Sequence, residues 1–255
     1  MISILQKAGE QLKKAGIETP KLDAEVLLAH ALGCERYELY TKTVTQCQAP
    51  GDSFAKFRSY IERRIKREPV AYIRGFKEFW SLNIKVTPAV LIPRPETEAL
   101  VEKALEKLVH SPLSIVPGPT ILDLCTGSGC IAAALATELP EAQITVADIS
   151  NEALDVARQN LEFAKDRVTF IQSDLFEKIE GRFDLIVSNP PYIPSSQMKQ
   201  LSPEILRYEP CLALDGGPDG LDFIAKIKQT APQFLNPKGW LVVEAGPEIF
   251  TWTNS

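Results

Sequence analysis

The sequence predicts an α/β protein: a parallel sheet with helices on both faces, preceded by a small helical bundle and a β-hairpin. Three successive patterns of apolar residues support this prediction. Apolar residues recur at helical spacing in residues 1–75 and alternate with polar residues in residues 76–95, and Val- and Ile-rich strands then alternate with helices. We therefore predict a helical bundle over 1–75, a hairpin linker over 76–95 and a sheet domain over 96–255.

Charge and composition exclude several classes of protein. Residues 1–80 hold 14 Lys and Arg against 10 Asp and Glu, whereas residues 81–255 hold 14 against 23. Because such an acidic domain repels a phosphate backbone, nucleic acid is not an expected partner. The five cysteines form no Cys-x-x-Cys pair and only two histidines are present, so neither a disulfide framework nor a metal centre is expected.

The N-terminal sequence and the length of the apolar runs address localisation. No apolar run approaches the roughly 18 residues that cross a bilayer. The N-terminus carries charged residues every few positions and lacks the apolar region of a secretory signal. We therefore expect a cytoplasmic protein that does not associate with membranes.

The helices of the bundle follow from spacing and end signals. Apolar positions within residues 2–12 lie three or four apart and predict a first helix that ends at Gly16. A second helix is predicted over Pro20–Leu32, because proline opens helices and Gly33 is a natural end. Phe54–Ile65 repeats the helical spacing and predicts a third helix.

The hairpin is predicted from a period of two. Phe79–Val86 alternates apolar and polar residues, which is typical of a half-buried strand. Thr87–Ala89 contains a proline and predicts a turn, and the apolar run Val90–Ile92 predicts the second strand. This hairpin is expected to connect the bundle to the sheet domain.

Strands and helices alternate in the remaining chain, after a helix from Glu96 through Val109 and a loop at Ser111–Pro119. Strands are predicted at Thr120–Leu124, Gln143–Ala147, Val168–Gln172, Asp184–Ser188 and Trp240–Glu244. Helices are predicted at Cys130–Glu138, Glu152–Phe163 and Leu221–Gln229. Pro247–Ser255 predicts no regular element, so we expect Trp240–Glu244 to leave a sheet edge unpaired.

A glycine-rich turn joins the first of these strands to the next helix. It reads Asp123-Leu124-Cys125-Thr126-Gly127-Ser128-Gly129, and its glycines permit a tight turn and close approach of a ligand. Asp148 ends the following strand, where a carboxylate can accept hydrogen bonds from both hydroxyls of a ribose. Asp174 ends the third strand, where it can meet an adenine amino group with Leu175 beside the ring.

The acidic residue before the turn bears on the choice of cofactor. The spacing Gly127-x-Gly129-x-x-Ala132 alone also fits a dinucleotide site or a purely structural turn. Asp123 favours S-adenosylmethionine, because a carboxylate suits a cationic methionyl group and repels a diphosphate. An ordinary strand-end carboxylate remains the alternative for Asp123.

The fourth strand leads into Asn189-Pro190-Pro191-Tyr192, which indicates the reaction. Two prolines stiffen the loop and leave carbonyl groups free. The side-chain oxygen of Asn189 and the carbonyl of Pro190 can accept both hydrogens of one NH2 group, and Tyr192 offers a flat face to a planar group. Such contacts return electron density to a weakly nucleophilic amide nitrogen and aim it at a methyl group.

These motifs, together with Leu91–Glu98, Phe79–Leu82 and Arg207–Pro210, resemble the PrmC/HemK glutamine-N5 methyltransferases over about residues 1–246. The resemblance implies methylation of the glutamine of the Gly-Gly-Gln tripeptide in class 1 peptide-chain release factors. It also implies a Rossmann-like class I S-adenosylmethionine-dependent methyltransferase domain, with the bundle recognising the substrate.

The resemblance also implies the roles of individual residues. The loop Cys125–Gly129, Asp148 and Leu175 would bind the cofactor. Asn189 would contact both cofactor and substrate, and Pro190, Pro191 and Tyr192 would frame the glutamine side chain. Two departures stand out: the family usually has glycine where this chain has Cys125, and it usually continues into a further helix and strand pair.

Three other functions stay open on the sequence. Adenine-N6 methyltransferases share the Asn-Pro-Pro-Tyr motif, but the acidity of residues 81–255 argues against them. A ribosomal-protein glutamine methyltransferase is the second alternative, against which Arg94–Glu98 favours the release-factor branch. The third is a degenerate, non-catalytic module that uses its helical bundle for interaction.

Overall fold

The computed structural model describes residues 2–41, 51–109, 118–246 and 248–253. These form two compact units: unit 1 spans Met1–Gly75 with Ser202–Tyr208, and unit 2 spans Phe76–Leu201 with Glu209–Ser255. The helices are α1 (Ile2–Lys14), α2 (Pro20–Leu32), α3 (Glu38–Thr41), α4 (Ser53–Ile65), α5 (Val70–Arg74), α6 (Thr97–Val109), α7 (Cys130–Glu138), α8 (Asn151–Asn160), α9 (Pro203–Tyr208) and α10 (Asp222–Thr230). The strands are β1 (Phe76–Phe79), β2 (Leu82–Lys85), β3 (Thr120–Leu124), β4 (Gln143–Asp148), β5 (Val168–Gln172), β6 (Phe183–Ser188), β7 (Leu235–Ala245) and β8 (Glu248–Thr253).

Unit 1 is a helical bundle built on α1, α2 and α4, which confirm the three predicted helices. α2 begins at Pro20, whose missing N–H costs a helix nothing at this position, and Gly33 ends it at φ +66°. The apolar core of the bundle includes the buried side chains Leu12, Leu27, Leu28, Leu32, Phe57 and Ile61. Each contributes about 1.5–3 kcal/mol by leaving water, so these positions hold the bundle together.

A short helix from much later in the chain completes unit 1. In α9, Glu204 accepts hydrogen bonds from Arg64 at 3.1 Å and from Arg67 at 2.9 Å. Tyr208 Oη donates to the carbonyl of Lys66 at 2.8 Å. Arg64 also donates from Nε to Asp23 at 2.7 Å, so one buried guanidinium bridges α2 and α9. Periodicity did not predict this element, because α9 is only six residues long.

Unit 2 contains a six-stranded sheet in the order β5-β4-β3-β6-β7-β8. All neighbouring strands are parallel except β7 and β8, which confirms the predicted parallel sheet for β3 to β7. Every residue of β6 is buried, as expected of a central strand with both faces covered. The strand order reverses between β3 and β6, and ligands bind at such reversals in open sheets.

The hairpin differs from its prediction. β1 and β2 pair across a two-residue turn in which Trp80 and Ser81 have φ +53° and +58°. The predicted strand over Phe79–Val86 was therefore wrong, as was the strand at Val90–Ile92, which the structure leaves without regular structure. The turn was missed because Trp80 is itself apolar and extends the alternation of Leu82, Ile84 and Val86 backwards into the turn. The register pairs Phe79 with Leu82, so the face that each position occupies shifts by one residue across the turn.

Hydrogen bonds attach the hairpin to three helices of the sheet domain. The backbone N–H of Trp80 donates to Glu98 at 2.8 Å, and its indole N–H donates to Glu138 at 2.7 Å. The N–H of Lys85 donates to the Asn160 side chain at 2.8 Å. The hairpin is thus fastened to α6, α7 and α8 of unit 2.

The end of the sheet corrects a second expectation. Glu248–Thr253 forms β8 and pairs antiparallel with Trp240–Ala245, whereas no regular element was predicted there and β7 was expected to be unpaired. Gly246 makes the turn at φ +69°. The strand was missed although Phe250-Thr251-Trp252-Thr253 alternates apolar and polar residues, because this run is short and most side chains of β8 are exposed.

Two further observations complete the fold. Residues 111–117 of the predicted loop at Ser111–Pro119, and Pro247, Asn254 and Ser255, lie outside the described residues. Within the described part of the chain, no helix has both the length and the apolar character needed to span a membrane.

Candidate active site

A cavity of about 460 Å³ lies at the carboxyl ends of β3, β4, β5 and β6 in unit 2. It coincides with the reversal of strand order between β3 and β6, where a ligand is expected. Nine of the predicted site residues line it: Cys125, Thr126, Gly127, Ser128, Asp148, Asp174, Leu175, Asn189 and Pro191. Residues of the glycine turn and of the Asn-Pro-Pro-Tyr loop therefore line the same cavity.

The glycine turn is shaped by its left-handed residues. Gly127 has φ +53° and Gly129 has φ +76°, a region that other residues enter at a cost of about 1–2 kcal/mol. A Cβ on Gly129 would lie 3.0 Å from the Cβ of Ala157, so α7 and α8 pack closely only because the side chain is missing. A Cβ on Gly127 would meet nothing within 4 Å, which leaves that side of the turn open.

Asp148 ties the ends of β3 and β4 together. Its carboxylate accepts hydrogen bonds from the N–H of Gly127 at 2.8 Å and from the N–H of Ser150 at 2.9 Å. Burial raises the pKa of Asp148, while these backbone donors oppose the rise. Because each carboxylate oxygen has a second lone pair, Asp148 can still accept hydrogen bonds from hydroxyl groups in the cavity.

The end of β5 supplies the next wall of the cavity. Asp174 and Leu175 both line it, and Leu175 adopts the left-handed conformation with φ +46°. The N–H of Ser173 donates to the carbonyl of Asp148 at 3.0 Å, so this wall is fixed to the end of β4. The pairing of a carboxylate with an adjacent apolar side chain suits a planar group that carries an amino substituent.

Asp123 lies behind the cavity and does not line it. The residue is fully buried, and its Oδ2 accepts the hydroxyl proton of Thr126 at 2.7 Å. Among the described residues, its Oδ1 has no hydrogen-bond partner. Burial raises the pKa of Asp123 from 3.8 to about 7. Asp123 does not line the cavity, so its direct contact with a cation stays a prediction.

Cys125 lines the cavity in a conformation that glycine would adopt more easily. Its φ is +57°, in the left-handed region that glycine enters without the steric cost of a side chain. Burial raises the pKa of its thiol well above the ordinary value, as do the nearby carboxylates, so the group is a neutral thiol. Cys125 therefore contributes shape and a small apolar surface to the cavity wall.

The Asn-Pro-Pro-Tyr loop follows β6. Asn189 Nδ2 donates to Thr97 Oγ1 at 3.1 Å, and Asn189 and Pro191 both face the cavity. Pro190, Tyr192, Asp123 and Gly129 are the four predicted site residues that do not line it. Instead, Tyr192 Oη donates to Glu244 Oε1 at 3.5 Å, behind the loop.

Sequence reasoning missed part of the cavity. Phe223 and Lys226 of α10 line it, as does Arg94 from the segment before α6. Glu209, which is buried, accepts from Arg94 at 2.6 Å and from the N–H of Ile92 at 3.1 Å, and so fixes this segment. The charged pair Arg94 and Glu209 lies 115 residues apart in the sequence, so no local pattern links the two.

Two family models match the chain. The model of the PrmC N-terminal domain matches residues 3–75, and the model of the methyltransferase small domain matches residues 100–217. Their boundaries separate the helical bundle from the sheet.

Curated proteins match over nearly the whole chain. The chain is 45% identical over 253 residues to a release factor glutamine methyltransferase of Rhodopirellula baltica, covering 98% of this chain and 84% of that protein. It is 46% identical over 236 residues to a protein of the same name from Geobacter sulfurreducens, covering 92% and 80%.

A solved structure matches the fold. The catalytic domain of hMettl16, in complex with the MAT2A 3′UTR hairpin 6, aligns with a TM-score of 0.51 at 15% identity. The match covers 76% of this chain and 67% of that one. At this identity the likeness concerns the arrangement of sheet and helices alone.

Proposed function

The chain belongs to the family of release factor glutamine methyltransferases, and from this we propose that it methylates the side-chain amide of a release factor glutamine. It is a methyltransferase, and S-adenosylmethionine is its methyl donor. Within the proposal, the target is the N5 atom of the glutamine in the Gly-Gly-Gln tripeptide of class 1 release factors.

The residues of the cavity fit this methyl donor. Asp148 offers acceptors for a ribose, Asp174 and Leu175 suit an adenine ring, and the turn at Gly127 leaves room for a close approach. Above a pH of about 7, where the buried carboxyl of Asp123 ionises, its negative charge behind the wall favours a cation over a diphosphate. When bound, S-adenosylmethionine supplies a methyl group on a positively charged sulfur.

The Asn-Pro-Pro-Tyr loop would act on the glutamine. Asn189 Oδ1 and the carbonyl of Pro190 would accept the two N–H groups of the amide, which raises electron density on its nitrogen. The prolines hold these acceptors in place without backbone donors that could compete. After the nitrogen gains the methyl group, it loses one proton to solvent, so no general base is needed beforehand.

One observation carries the proposal: the glycine turn and the residues Asn189 and Pro191 line the same cavity. A methyl transfer requires the acceptor nitrogen to approach the donor carbon within about 3–3.5 Å, which is possible only inside a shared site. The acidic balance of residues 81–255 supports a protein substrate over a nucleic acid. We also propose that residues 1–75 recognise the substrate. The same proposal implies a cytoplasmic location, because termination of translation takes place there.

Labelled S-adenosylmethionine tests the proposal. The purified enzyme is incubated with the methyl-labelled donor and a class 1 release factor, and the label is mapped by peptide mass spectrometry. We expect label on the glutamine of the Gly-Gly-Gln tripeptide and none on a release factor in which that glutamine is replaced by alanine. Calorimetry must first show saturable binding of the donor. Binding without any label on this glutamine would reject the proposed substrate.

A further inference from the structure

The proposed reaction requires the backbone of the Asn-Pro-Pro-Tyr loop to stay in one position, because its carbonyl groups face the substrate amide. A misplacement of about 1 Å in the reacting groups can cost about 100-fold in rate. The loop is held at its start by β6 and by the hydrogen bond from Asn189 to Thr97. Pro190 and Pro191 have no N–H groups, so they donate no backbone hydrogen bonds that could hold the middle of the loop. The position of the loop then depends on what holds its other end.

The residue that follows the loop is paired with a segment from later in the chain. The N–H of Ile193 donates to the carbonyl of Leu214 at 3.0 Å, and the N–H of Gly216 donates to the carbonyl of Ile193 at 2.8 Å. Ile193 and Asp215 therefore form an isolated parallel bridge. Both backbone hydrogen-bonding groups of Ile193 are used in this pairing, which fixes the chain directly after the loop.

Ser195 extends the same pairing. Its N–H donates to the carbonyl of Gly217 at 2.8 Å, and its hydroxyl donates to Asp215 Oδ1 at 2.7 Å. The same carboxylate oxygen accepts from the N–H of Gly217 at 3.0 Å. The side chain of Asp215 thus connects the chain after the loop to the later segment.

Two buried glycines of residues 215–220 touch the backbone of the loop where a side chain would not fit. A Cβ on Gly216 would lie 2.7 Å from the Cα of Tyr192 and 2.8 Å from the carbonyl oxygen of Pro191. A Cβ on Gly220 would overlap with the carbonyl oxygen of Tyr192. Because these neighbours are backbone atoms, they cannot turn aside as a flexible side chain does. A side chain at either glycine would therefore displace the loop.

We propose that residues 215–220 are a positioning element, in which Gly216 and Gly220 fix the backbone of Pro191 and Tyr192 and so keep the loop carbonyl groups directed at the substrate. This inference rests on the proposed function for its catalytic meaning, but the packing on which it depends belongs to the enzyme without substrate. None of residues 215–220 lines the cavity, so they act on the reaction without touching the reacting atoms.

Two alanine substitutions with matched controls test the proposal by kinetics. Gly220→Ala, at φ +82°, is compared with Gly181→Ala, at φ +85°, where a Cβ meets nothing within 4 Å. Gly216→Ala is compared with Gly51→Ala, where a Cβ also meets nothing within 4 Å.

We expect Gly216→Ala and Gly220→Ala to lower kcat by about 10- to 100-fold, the effect of a small displacement of the reacting groups. Both controls should keep the kcat of the wild type. In every variant the Kd for S-adenosylmethionine should change less than kcat, because the glycine turn and Asp148 are unaltered. An equal loss of kcat in Gly220→Ala and Gly181→Ala would attribute the effect to backbone strain and overturn the proposal.

A measurement without release factor separates this inference from the proposed function. Enzyme labelled with 3-fluorotyrosine is examined by ¹⁹F NMR, and the Tyr192 signal is assigned among the six tyrosines from its loss in Tyr192→Phe. We expect this signal to move in Gly216→Ala and Gly220→Ala and to keep its wild-type position in both controls.

Asp215→Ala removes contacts without adding an atom, so it tests the same element even where an added methyl group prevents folding. Saturable binding of S-adenosylmethionine shows that the variant is folded. We expect its Tyr192 signal to move or broaden, because the chain after the loop loses one of its attachments. A Tyr192 signal at the wild-type position in Asp215→Ala and in the folded glycine variants would overturn the assignment, whatever the substrate proves to be.

Discussion

At the scale of single residues, Asn189 and Asp123 differ in how their positions control the chemistry. Asn189 faces the cavity and is held by one side-chain hydrogen bond, so it can contact a substrate directly. Asp123 is fully buried, and its carboxylate accepts a hydrogen bond from the hydroxyl of Thr126. Both were predicted as site residues from their places at strand ends, but burial was not visible in the sequence.

Replacing Asn189 by alanine should impair the reaction more than cofactor binding. We expect Asn189→Ala to cost about 2–4 kcal/mol in the transition state, as for the loss of one preorganised hydrogen-bonding group. Single-turnover kinetics at saturating S-adenosylmethionine measure this effect, and calorimetry measures donor binding. Asn83→Ala, at an exposed position of β2, is the control and should behave as wild type. Near-normal turnover of Asn189→Ala would contradict the role of Asn189.

Asp123 should make the stability of the protein depend on pH. Its pKa is raised from 3.8 to about 7 in the fold, so the native state binds more protons than the unfolded state between these values. The free energy of unfolding should therefore fall as pH rises from about 4 to 7. Asp123→Asn should flatten this dependence.

Urea unfolding at several pH values measures the effect of Asp123. The control is Asp166→Asn, at an exposed position, which should keep the slope of the wild type. If Asp123→Asn shows the same pH dependence as wild type, the buried carboxyl does not carry the raised pKa.

At the scale of structural elements, Gly127 and Gly129 of the glycine turn differ in how closely neighbouring residues pack against them. Both have positive φ, so alanine at either costs about 1–2 kcal/mol in backbone strain. A Cβ at Gly129 also meets Ala157 at 3.0 Å and Leu161 at 3.2 Å, whereas a Cβ at Gly127 meets nothing within 4 Å.

The pair Gly129→Ala and Gly127→Ala isolates the packing contribution. We expect Gly129→Ala to be less stable than Gly127→Ala by about 1–3 kcal/mol, the usual cost of overpacking a close contact. Thermal and urea unfolding of the two variants measure the difference. Equal stabilities would show that α7 and α8 move apart freely and that Gly129 is not needed for their packing.

The elements also show how far sequence reasoning reaches. α2 and β3 were predicted to the residue. Pro20 and Gly33 bound α2, and the glycine turn follows directly after the last apolar residue of β3. The hairpin turn at Trp80 was missed, since Trp80 is apolar and continues the alternation of Leu82 and Ile84 into the turn. β8 was missed because its pattern is that of an exposed edge.

The sequence predicted those parts of the candidate site whose residues are adjacent in the chain. The turn Cys125–Gly129 and the loop at Asn189 were identified because the residues of each motif are adjacent. Arg94 and Glu244 were not, since their partners lie 115 and 52 residues away. Such pairs are formed by the topology of the sheet, and a single sequence contains no periodic signal for them.

At the scale of the whole molecule, unit 1 is discontinuous in sequence. Its last segment, Ser202–Tyr208, is inserted between parts of unit 2. Glu204 in this segment is paired with Arg64 and Arg67, and the side chain of Arg64 is only 9% exposed. Removing the partner of a buried charge destabilises a fold far more than removing one member of a surface ion pair does.

Neutralising Glu204 should therefore loosen α9. We expect Glu204→Gln to increase hydrogen exchange of residues 203–208, while the strands β3 and β6 keep their protection. Hydrogen exchange with mass spectrometry makes this comparison. Glu62→Gln, at an exposed position of α4, is the matched control. Unchanged protection of α9 in Glu204→Gln would show that the hydrogen bond from Tyr208 to the carbonyl of Lys66, and not the ion pairs, holds the segment.

The interrupted course of unit 1 has a practical consequence for anyone who wishes to express it alone. A gene fragment that ends at Gly75 lacks Glu204, whose carboxylate pairs with Arg64 and Arg67. The expressed fragment would carry both arginine side chains without this counter-charge. Grafting the heptapeptide Ser202–Tyr208 behind Gly75 through a flexible tether would restore the missing counter-charge. A domain boundary placed after Gly75 from the order of the sequence therefore does not delimit the whole of unit 1.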